Sequence, residues 1–230
     1  MKLTGKTIVI TGSNRGIGKE LLLAALKENP EKIYATARDT SKIETNDPRV
    51  HKINLDLNDP ESIKKMSTFQ NIDVLINNAG ALAYDNISFD KDLNMSTNYY
   101  GTLALTDTLI PNMNNGGIIA NVCSILALTP MAFTKKYSAS KAALHSATQS
   151  YRMQLKKENI HVLGIYPATI DTDMAKDFGD MQKADPITTA QNILKGIEEG
   201  IEYIFPDNGS NYVGNEFMKN PASLEKMFAQ

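Results

Sequence analysis

Cysteine occurs once in 230 residues, at Cys123, so neither an internal disulfide nor a cysteine-built metal cluster is available. Histidine is nearly as scarce. His51, His145 and His161 are scattered, with no H-E-x-x-H or comparable spacing, and a metal site has no support. Neither sign of charge dominates: 24 Lys and Arg stand against 26 Asp and Glu, a net charge of -2. A broad nucleic-acid-binding face is therefore not expected. The longest apolar run, residues 21–26, is far too short to span a bilayer. The residues after Met1 hold no apolar stretch of signal-peptide length, so a soluble cytoplasmic protein without membrane contact is expected. No repeat, low-complexity tract or compositional break divides the chain, and residues 1–230 read as one domain.

What is present is alternation. Short β-like runs at 7–11, 32–37, 50–55, 73–77, 117–123 and 160–166 are mostly continuous Val/Ile/Leu stretches, the pattern of strands covered on both faces. Residues 202–205 are a candidate seventh. Helical patterns lie between them at 16–28, 60–66, 92–112, 137–158 and 188–199. Strand–helix alternation implies right-handed crossovers, hence an α/β fold: a doubly wound parallel sheet of six to seven strands with helices on both faces. Two segments read as irregular. Residues 171–186 are polar and Met-containing. Residues 206–215, rich in Gly, Asn, Asp and Ser, open an irregular tail running to 230. Both follow strand ends of the kind where open α/β sheets bind ligands.

The junction of the first strand and first helix reads Thr11-Gly12-Ser13-Asn14-Arg15-Gly16-Ile17-Gly18. Glycines there let the backbone turn tightly and approach a pyrophosphate, and the helix N-terminus adds free N–H groups and a positive dipole end. The spacing is G-x-x-x-G-x-G rather than G-x-G-x-x-G. A ligand-free glycine turn would use the same residues, but the strand–turn–helix setting favours binding. The end of the second strand selects the dinucleotide: an acid there holds a ribose hydroxyl, and an arginine accommodates a 2′-phosphate. The chain has Ala37-Arg38-Asp39, with Arg15 as a second cation, and two guanidiniums suit one phosphate. Asp39 is the competing ribose partner, one step beyond the usual position. NADP(H) is the expected cofactor, with NAD(H) the alternative.

Tyr137 and Lys141 lie four apart in Tyr137-Ser138-Ala139-Ser140-Lys141, on one face of a predicted helix. A phenol near an ammonium is an acid–base device, because the positive charge favours the phenolate and lowers a pKa that is ordinarily about 10. By itself the pair reads as two surface residues on a solvated helix. A cofactor site and a third polar group would give it meaning.

With those motifs in place, the chain resembles the short single-domain branch of the short-chain dehydrogenase/reductase family, over residues 7–174. The resemblance rests on five further matches beside the glycine turn. Asp56 in Leu55-Asp56-Leu57 falls on the acid that contacts the adenine edge. Asn77-Asn78-Ala79-Gly80 matches the fourth-strand motif lining the cofactor. Asn98 in Asn98-Tyr99-Tyr100-Gly101 falls on the helix asparagine. Ser124, thirteen residues before Tyr137, falls on the catalytic serine. Pro167-Ala168-Thr169-Ile170-Asp171-Thr172-Asp173-Met174 matches the stretch that meets the nicotinamide carboxamide. The order and spacing are specific where each motif is weak. The chain departs from the pattern at Ala168, which replaces a glycine, in a trimmed crossover between Arg38 and the third strand, and in a short segment at 60–72. It also lacks the glycine-rich C-terminal strand, which bears on the family's tetramer more than on its chemistry.

The resemblance implies an NADP(H)-dependent carbonyl reductase running in reverse as an alcohol dehydrogenase. Tyr137 would be general acid and base. Lys141 would lower its pKa and hold the nicotinamide ribose. Ser124 would hydrogen-bond the substrate oxygen, and Asn98 would hold a relay water. The cofactor would lie along Gly12, Ser13, Asn14, Arg15, Gly16, Ile17, Gly18, Arg38, Asp56, Leu57, Asn78, Ala79, Gly80, Tyr137, Lys141, Pro167, Ile170 and Thr172. Partners would be a small carbonyl or alcohol substrate and further copies of the chain, as a homodimer or homotetramer built on helices 92–112 and 137–158. Substrate choice is expected from the 171–186 segment and the tail, with the Met and Tyr residues between 166 and 181 as pocket candidates. Cys123 reads as packing and His145 as structural. The alternative is a signalling protein that binds NAD(P) on the same fold, as some relatives do. Intact Ser124, Tyr137 and Lys141 argue for catalysis. A sugar-nucleotide epimerase is disfavoured for want of a longer C-terminal domain.

Overall fold

Alternate side chains along the buried strands divide the molecule into two apolar layers. The structure is a computed structural model that describes residues 1–84, 92–179 and 181–228; Asp180 of the expected substrate segment and the last two residues of the tail lie outside the described residues. Seven strands form one sheet: β1 (Thr7–Thr11), β2 (Lys32–Ala37), β3 (Val50–Asn54), β4 (Ile72–Asn77), β5 (Met113–Val122), β6 (His161–Ile165) and β7 (Tyr203–Ile204). Their order is β3-β2-β1-β4-β5-β6-β7, and every neighbouring pair is parallel. The connecting helices are α1 (Gly16–Lys27), α2 (Pro60–Lys65), α3 (Leu93–Met95), α4 (Thr102–Leu109), α5 (Lys135–Leu155), α6 (Pro186–Glu199), α7 (Asn208–Lys219) and α8 (Pro221–Phe228).

Ile8 and Ile10 of β1 join Leu21, Leu22 and Ala25 of α1 and Ile193 and Ile197 of α6 in one layer. Val9, between them, joins Leu105 and Leu109 of α4 and Tyr151 and Leu155 of α5 in the other. Successive strand side chains point to opposite faces, so a strand apolar at every position feeds both layers. The strand order reverses between β1 and β4, which pair Ile8 with Val74 and Ile10 with Ile76. The C-terminal ends of β1 and β4 therefore open side by side at the switch point where such sheets bind ligands.

Three expectations need correction. The tail is not irregular: it forms α7 and α8. Its Gly, Asn and Ser content looks like loop, but Asp207 caps α7, accepting from the Ser210 N–H at 2.8 Å while the Ser210 hydroxyl accepts from the Asp207 N–H at 3.0 Å. Gly214 lets α7 pack on the Phe205 ring, where a Cβ would lie 2.6 Å from a ring carbon. Val213 and Leu224 then bury against Leu126 and Tyr166 in a third apolar cluster. The helix expected at 92–112 runs without a gap from Leu93 to Asn112 but is not α-helical throughout. α3 and α4 flank a π-helical stretch, Ser96–Gly101, and a 3-10 turn follows at Ile110–Asn112. A π-bulge re-aims side chains and occurs often at functional sites; here it carries Asn98. Third, β5 begins at Met113 rather than 117, and its pairing with β4 shifts register between Ile72 and Val74. The trimmed crossover is as expected, with only the 3-10 turn Thr40–Lys42 between β2 and β3.

Candidate active site

The glycine turn sits at the C-terminal end of β1. Gly12 takes φ +69°, and Gly18 packs so closely on it that a Cβ at 18 would lie 2.0 Å from the Gly12 carbonyl oxygen. α1 starts beyond the turn with no side-chain cap from its N-cap residue Arg15 and no acid in its first turn. Its first N–H groups and positive dipole end therefore face the strand-end crevice uncancelled, which suits an anionic group. Ser13 is buried and holds the turn down, its hydroxyl donating to Ile10 O at 2.8 Å and its N–H to Thr36 O at 2.9 Å. Across the crevice, Asn78 donates to Thr11 O at 2.8 Å and Gly12 O at 3.3 Å. Thr11 had no expected role, yet its hydroxyl accepts from both the Asn78 and Ala79 N–H groups at 2.9 Å. A hydroxyl at the end of one strand facing the Asn-Asn-Ala-Gly end of its neighbour was the available signal.

At the end of β2, Arg38 is exposed. Asp39 is engaged by its neighbours in sequence. It caps the following 3-10 turn, accepting from the Ser41 N–H at 3.1 Å and the Ser41 hydroxyl at 2.6 Å, with Lys42 at 3.7 Å. Those hydrogen bonds hold its carboxyl below the ordinary range. Arg15 lies 3.8 Å from Asp173, a loose and exposed pair that ties the glycine turn to the 171–186 segment. Asp56 accepts from the Asn58 N–H at 2.9 Å, and Leu57 is buried beside it.

The segment that follows β4 is clamped by two asparagines four residues apart. Asn98, fully buried, accepts from the Ala81 N–H and donates to Ala81 O, both at 2.8 Å. Asn94 does the same to Ala83, both at 3.0 Å. Each amide pairs with the backbone as a neighbouring strand would, fixing Gly80 to Ala83 beside the crevice. Asn98 also donates to Ser140 at 2.9 Å, and Ser140 donates to Tyr137 O at 2.7 Å. Asn98 thereby connects the β4 end to the helix that carries Tyr137. Neither Asn94 nor Ser140 was expected in the site. An Asn-x-x-x-Asn spacing ahead of a glycine was the only trace of the first.

Ser124 follows β5, and its hydroxyl accepts from the Leu126 N–H at 3.1 Å. Tyr137 and Lys141 sit on the first turns of α5. Burial pushes the Tyr137 hydroxyl above its ordinary pKa, and the hydrogen bond with Ser124 is the main opposing effect. Lys141 is 3% exposed, 5.8 Å from the Tyr137 ring centroid, and donates to Val122 O at 2.8 Å. Burial pulls its pKa down to about 8. The ammonium is aimed at a carbonyl, its own charged form is disfavoured by burial, and Ser124 is the group that favours the phenolate.

Pro167 O accepts from Ile125 N–H at 3.1 Å, joining the ends of β5 and β6. Ile170 is buried and bridges to Ala184, and Thr172 lies against Gly16. Ala168 faces α7, its N–H donating to Asp207 at 3.0 Å. A cavity of about 310 Å³ opens there, but its acids Asp185 and Asp207 are committed to capping α6 and α7. Tyr166 is fully buried against His145, Tyr203 and Phe205, so it does not line a pocket as expected. His145 does have a partner, the Tyr166 hydroxyl at 2.7 Å. Cys123 is buried and burial lifts its thiol to about 11, which fits packing rather than nucleophilic use. No helix among the described residues is long and apolar enough to cross a membrane.

Comparison with known proteins points one way. A family described as short chain dehydrogenase matches residues 6–183. An uncharacterized oxidoreductase of Staphylococcus saprophyticus is 29% identical over 221 residues, covering 86% of this chain and 94% of the relative. An NADP-dependent 3-hydroxy acid dehydrogenase of Schizosaccharomyces pombe is 32% identical over 208 residues, covering 81% and 80%. A crystal structure of a short chain dehydrogenase from Burkholderia cenocepacia in complex with NADP superposes with a TM-score of 0.89 at 28% identity, covering 100% of both chains.

Proposed function

The chain belongs to the short-chain dehydrogenase family, and from that premise we propose that it is an NADP(H)-dependent oxidoreductase interconverting a small carbonyl compound and its alcohol, with Tyr137 as the proton donor and acceptor. One observation carries this reading: a buried Lys141 stands 5.8 Å from the Tyr137 ring, with Ser124 near enough to favour the phenolate, at the same sheet end as an uncapped, glycine-rich helix start. The residues fit a dinucleotide. Gly12 to Gly18 and the start of α1 would hold its pyrophosphate, Arg38 and Arg15 its 2′-phosphate, and Lys141 its ribose. Bound there, NADP(H) supplies or accepts the hydride.

The chain's own part is proton handling and orientation. Ser124 hydrogen-bonds the substrate oxygen and positions it by Tyr137. In reduction Tyr137 gives its proton to that oxygen; in oxidation it takes one back. A phenol kept protonated by burial is suited to the donor role. Lys141, held near 8, exchanges protons close to neutral pH. Asn98 acts by position, locking Ala81 and, through Ser140, the start of α5. NADP(H) over NAD(H) is supported by the exposed Arg38, by the engagement of Asp39 in its own cap, and by relatives that carry NADP in their names.

Tyr137→Phe tests the reading. NADPH binding, followed by cofactor fluorescence, stays within about twofold of the parent, while turnover of every substrate falls at least a hundredfold, the lower range for removing a general acid. Full turnover in Tyr137→Phe would refute it.

A further inference from the structure

Three partly exposed aromatic rings from three separate segments meet at one rim of the site. Tyr84 follows the segment clamped by Asn94 and Asn98 and is 45% exposed. Phe133 lies on the 3-10 turn Ala132–Thr134 that leads into α5, four residues before Tyr137, and is 56% exposed. Phe178 ends the 3-10 turn Asp173–Phe178 after β6. The Tyr84 and Phe133 rings are 6.5 Å apart and tilted by 30°; Phe133 meets Phe178 edge-on at 5.8 Å and 79°. All three segments follow the C-terminal ends of β4, β5 and β6, the side on which Ser124 and Tyr137 stand. Tyr84 is near enough to Tyr137 to make ionising it harder.

Exposed large apolar groups scattered singly need no explanation, but a cluster at the mouth of a polar site marks a ligand surface. The ring set is not closed on itself. Phe133 presents its edge or face to two neighbours and still keeps more than half its surface open, a geometry that a third planar ring completes by stacking or edge contact. A saturated ring of equal size would fill the space without that preference.

Resting on the carbonyl-reductase reading above, we propose that the substrate carries an aromatic ring beside its carbonyl group and that Phe133, flanked by Tyr84 and Phe178, selects it. Phe133 is the specificity-determining residue. Ser124 and Tyr137 address the oxygen, and the aromatic rim holds the other end.

The test uses acetophenone and cyclohexyl methyl ketone, methyl ketones on a six-membered ring that is planar and aromatic in one and saturated in the other, with the NADPH-loaded full chain. Intrinsic reactivity differs between the two ketones, so the readout is how their kcat/KM ratio changes in Phe133→Leu, a bulky aliphatic replacement on an exposed turn. The aryl preference is expected to fall roughly five- to tenfold, with little change for the cyclohexyl ketone. In parallel, saturation-transfer NMR of the acetophenone ring protons with the NADP+-loaded chain, which has no hydride to give, reads binding without turnover; the signal is expected in the parent and lost or much reduced in Phe133→Leu. An unchanged ratio and unchanged NMR signal, or a parent that binds neither ketone, or one that reduces acetoacetate better than either, overturns the inference. Phe133-dependent binding of acetophenone without reduction of any carbonyl upholds it and overturns the reductase reading instead.

Discussion

Lys141 is the group whose titration the fold should make measurable as stability. Burial holds it at about 8 against the ordinary 10.5, and the group its ammonium touches is a carbonyl, Val122 O at 2.8 Å, not a carboxylate. Between those two values the unfolded chain binds this proton and the folded chain does not. Stability rises with pH wherever the unfolded state binds more protons. The contribution of Lys141 is therefore fully present above 10.5 and is lost as pH falls through about 8. Each pH unit is worth about 1.4 kcal/mol, so the whole span is roughly 3 kcal/mol, of which roughly 2 kcal/mol falls between about pH 7 and about pH 9.5. The perturbation is Lys141→Met, which keeps an unbranched side chain and removes the titration. Urea unfolding of both proteins across that pH range gives the comparison. The stability of the parent relative to Lys141→Met is expected to climb by about 2 kcal/mol as pH rises. Tyr137, Tyr151 and Tyr166, which burial shifts the opposite way above pH 10, are common to both proteins and cancel. A difference that stays flat with pH would refute the argument, because it would mean the amine is hydrated in the folded protein.

Gly18→Ala places a Cβ 2.0 Å from the Gly12 oxygen; urea unfolding is expected to show a loss of about 3 kcal/mol, from overpacking backbone on backbone, and NADPH affinity should fall with it. Arg38→Asp is expected to shift the ratio of NADPH to NADH affinity roughly tenfold towards NADH, the scale of one charge-assisted hydrogen bond, read by cofactor fluorescence titration. Equal affinities in the parent would count against the 2′-phosphate assignment. Asp207→Ala removes the cap of α7 and the acceptor of the Ala168 N–H; thermal unfolding should report a loss of about 2 kcal/mol, with the active-site side chains untouched.

The sequence by itself determined the elements and the family. Continuous Val/Ile/Leu runs alternating with amphipathic stretches leave few ways to bury both faces of each strand, and β1, β2, β4 and β6 fall where the pattern placed them, within a residue at their ends. Gly12, Gly18, Tyr137 and Lys141 were legible because turn geometry and helical spacing act over a few residues, and local chemistry is written locally. The tail misled for the same reason: its Gly and Asn content signals loop, while the helix α7 is secured by the Asp207 cap and by Phe205 packing on Gly214 from outside the segment. Contacts between distant residues were not readable. Asn94 and Asn98, the second in the π-helical stretch, clamp Ala83 and Ala81 across more than ten residues of chain, and the meeting of Tyr84, Phe133 and Phe178 depends on three loops converging at one sheet end. Tertiary structure also decided the electrostatics. The spacing of Tyr137 and Lys141 suggested an acid–base pair; burial, a property of the whole fold, raises the pKa of the phenol and lowers that of the amine, which donates to Val122 O.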